Sequence, residues 1–296
     1  MRLVSIGEVL WDVIGDQEYL GGAPFNLCAH AVRLDHHAFF VSSVGFDDRG
    51  ERALRAIEEQ GIDTRYISQT HRAATGVSEI VLDAEGKATH RLPRPAAYDF
   101  VSLSDKQRSE LTNSQPDWIC FGTLLQMELS PRTLTRRLLD EHPAAKKFYD
   151  VNLRPNCWTL ELVEEFLHRA TAVKLNEEEV DALAGLVDCP KGSHLRFSEI
   201  AAKRFGLNLV CITRGGQGCF IWRNGQHVES PGFKVAVADT VGAGDAFSAA
   251  LLHGLQEGWP IEEIGMFANR VGALVASRDG AAPAWTLEEV SALQPE

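Results

Sequence analysis

The chain has 296 residues, of which 45% are hydrophobic and 24% charged, so it is long enough to bury its own core and excludes disordered, collagen-like and coiled-coil proteins. Lys+Arg total 29 against Asp+Glu 41, a formal net charge of -12, which repels a phosphate backbone at long range and excludes general nucleic-acid binding. A small phosphorylated ligand stays open, because backbone amides act over a few ångströms whatever the global charge.

Arg2 to Gly7 is the first strand candidate. Glu8 and Asp12 break the apolar stretch and no small-residue cleavage site follows, so a signal peptide is not expected. A helix is expected over Phe25 to Arg33, a strand over Ala38 to Val44 and a helix over Arg49 to Gln60. Thr75 to Leu92 alternates around Ala84-Glu85-Gly86, which predicts a β-hairpin inserted into a βα series. Beyond it come a strand at Trp118 to Gly122 and a helix at Pro131 to Glu141, with Ser130 as N-cap. A strand at Lys147 to Val151 and a helix at Leu160 to Arg169 follow. Ala172 to Leu175 is the next strand. Asn176 caps a helix over Glu177 to Ala184 whose first turn is acidic. Further helices are expected at Glu199 to Phe205, Ala246 to Gln256 and Ile261 to Ser277, and a strand at Leu209 to Thr213.

Short apolar runs alternating with helices predict an α/β fold: three layers, α/β/α, around a mostly parallel doubly wound sheet. A single domain spans 1–296. The segments at about 11–22 and 72–100 are expected to form a small β-lid over the carboxyl ends of the strands. No apolar run approaches the roughly 20 residues of a membrane helix. The six cysteines contain no C-x-x-C pair and are expected to be reduced thiols of a cytoplasmic protein, Cys211 and Cys219 included, although these two flank a Gly-rich turn. The histidine spacing gives no zinc site.

Chemistry concentrates in Asp239-Thr240-Val241-Gly242-Ala243-Gly244-Asp245, ahead of an apolar helix. A helix starting here offers free N–H groups, and small side chains let a phosphate approach them. Asp245 in the first turn is expected to stay ionised and to act as general base while the amides receive the moving phosphoryl. A plain capped turn is the alternative for an isolated motif of this kind. No G-x-x-x-x-G-K-[ST] occurs, which excludes a P-loop enzyme; the G-x-G lacks its third glycine and sits late in the chain, so it is a weak signal for dinucleotide binding. Upstream, Gly21-Gly22-Ala23-Pro24-Phe25-Asn26 combines close backbone approach with an amide suited to hydroxyls, and Asp12 follows the first strand.

Taken together these motifs resemble the ribokinase-like (PfkB) carbohydrate kinases over nearly the whole chain. Gly21-Gly22-x-x-x-Asn26 is similar to that family's first signature, Asp239 to Asp245 to its second, and Asn176-x-x-Glu179 to its magnesium and phosphate motif. Gly7 to Asp12 and Phe121-Gly122-Thr123 look most like bacterial fructokinases, and Asp150-Val151-Asn152-Leu153-Arg154 with Trp158 is typical of hexose and ketogluconate kinases. The resemblance implies Asp245 as base and Gly242, Ala243 and Gly244 as the anion hole. It implies Asp12, Gly21, Gly22 and Asn26 around the sugar, with Gln126 and Arg154 as further contributors. Asn176 and Glu179 would organise Mg²⁺, Glu179 through water. Thr213, Gly215, Gly218 and Asn269 would line the ATP site, ATP lying across the helix after Gly244. Ser277 and Gly280, with backbone at Asp239 and Val241, would hold K⁺. Cation-rich phosphate clamps are scarce in the sequence, which suits transfer stabilised by amides and Mg²⁺.

The expected activity is ATP-dependent phosphorylation of a sugar hydroxyl, D-fructose first, with 2-keto-3-deoxygluconate, ribose or a nucleoside as alternatives. A sugar sensor without catalysis is the reading from another class, and the intact Asp245 and Gly242 to Gly244 turn speak against it. The open edges of lid strands point to a homodimer.

Overall fold

The computed structural model describes residues 1–14, 16–82 and 88–294. The chain opens with β1 (Arg2–Ile6), then the hairpin β2 (Leu10–Ile14) and β3 (Gln17–Gly21), and helix α1 (Ala23–Arg33). β4 (His37–Gly45), α2 (Asp48–Glu59) and β5 (Ile67–Thr70) follow, then the pair β6 (Gly76–Leu82) and β7 (Ala88–Arg91), and α3 (Asp105–Ser114). Strands and helices next alternate: β8 (Trp118–Gly122), α4 (Leu129–Glu141), β9 (Lys146–Asp150), α5 (Leu160–Leu167), β10 (Ala172–Asn176), α6 (Glu177–Leu183), α7 (His194–Phe205) and β11 (Leu209–Thr213). The hairpin β12 (Cys219–Arg223) and β13 (Gln226–Ser230) precedes α8 (Ala243–Glu257), α9 (Ile261–Ala276) and α10 (Leu287–Ala292).

The main sheet runs β13-β12-β11-β10-β9-β8-β1-β4-β5. It is parallel except for the β12–β13 hairpin at one edge. Side chains alternate across a strand, so β1 feeds both faces. Leu3 packs with Leu27 of α1, Ile57 of α2, Leu251 of α8 and Ile264 of α9. Val4 and Ile6 turn the other way, toward Leu111 of α3, Leu138 of α4, Phe166 of α5 and Phe205 of α7. These strand side chains are at most 1% exposed, and burial of each such side chain contributes about 1.5–3 kcal/mol. The result is the three-layer arrangement expected from the sequence.

Several boundaries differ from expectation. Helix α4 starts at Leu129 with Glu128 as N-cap rather than Ser130, and Pro131 sits in the first turn, where its missing N–H leaves no helical bond unmade. Helix α7 begins at His194, not Glu199. Asn176 does cap α6: its Oδ1 accepts from the Glu179 N–H at 2.8 Å.

A second sheet has the order β3-β2-β6-β7. Its two hairpins are joined by parallel pairing of β2 with β6, which sets Trp11 opposite Val77. Its strands stop at Arg91 rather than near residue 100, and Ala96 and Tyr98 beyond them are buried in the main core. The turn expected at Ala84-Glu85-Gly86 lies outside the described residues. All six cysteines are free thiols. Among the described residues no helix is long and apolar enough to cross a membrane.

Candidate active site

The site forms where the carboxyl ends of the parallel strands meet the first turns of α1 and α8. Gly22 is the N-cap of α1 at φ 114, a conformation that disfavours any other residue. A methyl group there would stand 2.5 Å from the Glu8 carbonyl oxygen. One turn into α1, Asn26 is 3% exposed and donates from Nδ2 to Asp245 Oδ2 at 2.7 Å. Its Oδ1 has no partner among the described residues, an acceptor available to a hydroxyl.

Gly242 is the N-cap of α8 and adopts a left-handed φ of 78. A methyl there would overlap the Ala281 carbonyl oxygen. The Asp245 and Ala246 N–H groups both donate back to Gly242 O, and Ala243 N–H donates to Thr240 O at 3.3 Å. The Gly242 and Gly244 N–H groups carry no hydrogen bond among the described residues, so these two, rather than all three small residues, are open to an anion.

Beneath Gly244 lies a charge cluster that composition hides. Lys174 on β10 is 8% exposed and donates from Nζ to both carboxylate oxygens of Asp150, each at 3.1 Å. Ser248 Oγ lies 3.0 Å from Asp150 Oδ2 and 2.9 Å from Gly244 O. Burial alone pulls the Lys174 ammonium down, yet Asp150, Glu179 and Asp245 together hold it above its usual value. Burial and the neighbouring Asp150 push Asp245 up to about 6, against Lys174 and the Asn26 hydrogen bond. Desolvation therefore dominates, and the Asp245 carboxyl holds its proton more tightly than the ionised first-turn residue expected from the sequence. Burial also raises Glu8 to about 7.

Asn176 and Glu179 form a reciprocal cap. Glu179 Oε2 accepts from Asn176 N at 2.8 Å, and Oε1 accepts from Leu153 N at 2.7 Å. Glu179 thus fixes the Asp150 to Arg154 loop against α6. Among the described residues no group of three or more metal-ligating side chains converges, so a cation here would take most of its ligands from phosphates and water.

Two cavities flank the cluster. A narrow one of about 20 Å³, room for about one water, is lined by Glu8, Pro24, Thr123, Asp150, Asn152 and Arg154. A groove of about 540 Å³ on the other side is lined by Thr213, Gly215, Gly218, Phe233, Gly244 and Asn269, among others. Asn269 uses its Nδ2 on the carbonyls of Ser230 and Pro231, so it shapes the groove wall. Thr213 Oγ1 donates to Leu175 O. Asp12 is half-buried on the small sheet with its carboxylate against Gly21. Arg154 is exposed at the mouth of the narrow cavity. Gln126 is fully buried, donates to Gly122 O and lines neither cavity. The Asp239 carboxylate accepts from the N–H groups of Val241 and Gly280, tying together the two segments from which a cation loop was expected. Ser277 Oγ donates to Leu274 O.

The family model for pfkB family carbohydrate kinases matches residues 2–287. The chain belongs to this family. Fructokinase-1 of Zea mays is 28% identical over 97% of the chain and 95% of its own length. A fructokinase of Escherichia coli is 29% identical, over 88% and 87%. The crystal structure of a fructokinase with bound ATP from Xylella fastidiosa superposes with a TM-score of 0.86 at 24% identity, covering 98% of this chain and 97% of that one, which shows a shared fold. The protein is a carbohydrate kinase.

Sequence reasoning singled out Asn26 and Asp245, which this kinase brings into contact, but missed Glu8, Lys174 and Ser248. Lys174 carried a signal: it is the one charged residue inside the apolar run Ala172 to Leu175. A strand buried on both faces hosts a lysine only where a partner waits. One buried ammonium, paired with Asp150, therefore lies beside Gly244.

Proposed function

We propose that this kinase transfers the γ-phosphoryl of ATP to D-fructose, with Asp245 as general base. The observation that carries the reading is the Asn26–Asp245 contact at the first turn of α8, next to Gly244, which lines a groove of about 540 Å³. The sugar lies over the mouth of the narrow cavity, whose volume of about 20 Å³ is too small to hold it, with Asp12, Gly21, Gly22, Asn26 and Arg154 around it. ATP occupies the groove. The attacking hydroxyl gives its proton to Asp245 as its oxygen bonds to the γ-phosphorus, and the bond from phosphorus to the bridging oxygen breaks with its electron pair leaving on ADP. The free amides of Gly242 and Gly244 receive the charge on the transferred group.

Mg²⁺, when bound, supplies charge neutralisation on the phosphates. Glu179 suits its hydration shell, because both oxygens are anchored by backbone donors and retain lone pairs for water. The Asp239 clamp between Val241 and Gly280 suits a carbonyl-lined K⁺ site. Fructose is favoured over other sugars by the names of the full-length relatives at 28–29% identity. ADP release with Mg²⁺-ATP over fructose, 2-keto-3-deoxygluconate, ribose and a nucleoside tests it. Fructose gives the highest kcat/KM on this reading, and preference for another sugar by more than tenfold refutes it.

A further inference from the structure

The Lys174 ammonium lies between two residues that each line a cavity, Asp150 and Gly244. Its anchor, Asp150, lines the narrow cavity, and Gly244 lines the groove. A methyl group on Gly244 would stand 3.3 Å from Lys174 Nζ, so only the absence of a side chain at 244 leaves the ammonium uncovered on that side. An ammonium has three donors. Two are spent on the Asp150 oxygens, and the third has no acceptor among the described residues. A buried donor left open beside two unpaired amides calls for an anion at that point.

We propose that Lys174 is a catalytic residue: its third N–H donates to an oxygen of the phosphoryl group in transit, alongside the amides of Gly242 and Gly244. The assignment rests on the phosphoryl-transfer reading above. Asp150, backed by Ser248, holds the ammonium in place. Geometry supports this over a structural ion pair. A pair serving packing alone would have no reason to sit with a spare donor against a side-chain-free glycine.

The test compares Lys174→Met, Asp150→Asn and the double variant, which replaces the charged pair with a neutral one and so keeps a foldable protein if the single lysine variant does not fold. Lys174→Met lowers kcat about 10²–10³-fold, the usual effect of losing one donor to a developing oxyanion, with the sugar KM changed less than threefold. Asp150→Asn, which still accepts from Lys174, stays within tenfold of wild type. The double variant is as slow as Lys174→Met. Recovery of the double variant to within threefold of wild type overturns the proposal, because Lys174 would then only neutralise Asp150. Asp150→Asn as slow as Lys174→Met also overturns it, since the two would act as one structural unit.

A binding readout separates this from the kinase reading itself. Calorimetry with Mg²⁺-ADP and with Mg²⁺-ADP plus aluminium fluoride, a mimic of the phosphoryl in transit, needs no turnover. Wild type gains affinity from the fluoride, and Lys174→Met and the double variant lose about 100-fold of that gain while binding ADP normally. If no sugar on the panel is turned over but this lysine-dependent gain remains, the substrate reading fails and the role of Lys174 stands. If the gain persists without the lysine, Lys174 does not touch the anion.

Discussion

Asn26 Nδ2 donates to Asp245 Oδ2 across 2.7 Å, joining the first turn of α1 to the first turn of α8 over 219 positions of sequence. The bond orients the carboxylate and opposes the burial that raises it. Asn26→Ala removes it and leaves a buried oxygen without that donor. The acid limb of the kcat profile then moves above its wild-type position, and kcat falls about tenfold at neutral pH, as for a misoriented general base. A pH–rate profile checks both effects, and an unmoved limb denies the coupling.

The pH dependence follows from Asp245 itself. Its folded value is about 6 against 3.8 for an ordinary aspartate. As the proposed base it must be ionised, so kcat/KM is expected to be full above pH 7 and to fall with unit slope as pH drops through about 6. For stability the sign is opposite. The fold holds this proton more tightly than the unfolded chain does, so burial of the charge costs stability above pH 6, and the cost fades as pH falls toward 3.8. Asp245→Asn removes that cost at pH 7.5 and raises Tm by about 2–4 °C, the common trade between stability and function. Calorimetric melting reads it directly.

Behind the Gly242 turn, Trp285 Nε1 donates to His30 Nδ1 at 3.0 Å, which puts the ring proton on His30 Nε2, 3.2 Å from Ala281 O. Burial lowers His30 to about 4, so it is neutral in the fold. The unfolded chain takes this proton near 6.5, and the histidine's contribution to stability is therefore lost as pH falls from 6.5 toward 4. Trp285→Phe leaves a buried ring nitrogen unpaired and costs about 1–3 kcal/mol. Denaturant titration measures the loss, and a variant as stable as wild type contradicts the role of this bond.

Gly21 lies against the Asp12 carboxylate, and a methyl group there would overlap Asp12 Oδ2. Gly21→Ala displaces the carboxylate without reaching the nucleotide groove. The sugar KM rises about tenfold and the ATP KM stays within twofold, an effect of about 1.4 kcal/mol on sugar binding. Initial-rate kinetics in both substrates distinguish this from a general loss of fold.

Much of the fold was legible because its signals are local. Trp118–Gly122 and Leu209–Thr213 are apolar runs bounded by turn residues, and their ends match the sequence pattern. Helix α3 was missed because it is polar nearly all round, with only Arg108 and Leu111 buried, so no apolar stripe marks it. Helix α10 has six residues and one buried side chain, Val290. The parallel pairing of β2 with β6 joins strands more than 60 positions apart, and no local pattern encodes it.

The same division holds at the site. Gly22, Asn26, Gly242 and Asp245 were visible because turn chemistry forces glycine there and because motif spacing is short. Their convergence was not visible, nor was the sharing of protons among Asp150, Lys174 and Ser248, which come from β9, β10 and α8. The shift of Asp245 depends on burial that only the assembled fold supplies. First-turn placement alone pointed the other way.

The most direct test is ADP release from Mg²⁺-ATP at saturating fructose, for wild type and Asp245→Asn, with ATP and fructose binding measured on the same samples. Wild type turns over, loses activity below about pH 6, and exceeds the variant by about 10³-fold or more, while the variant still binds both substrates. A variant within tenfold of wild type, or wild-type turnover indifferent to pH between 5 and 7, contradicts Asp245 as the base.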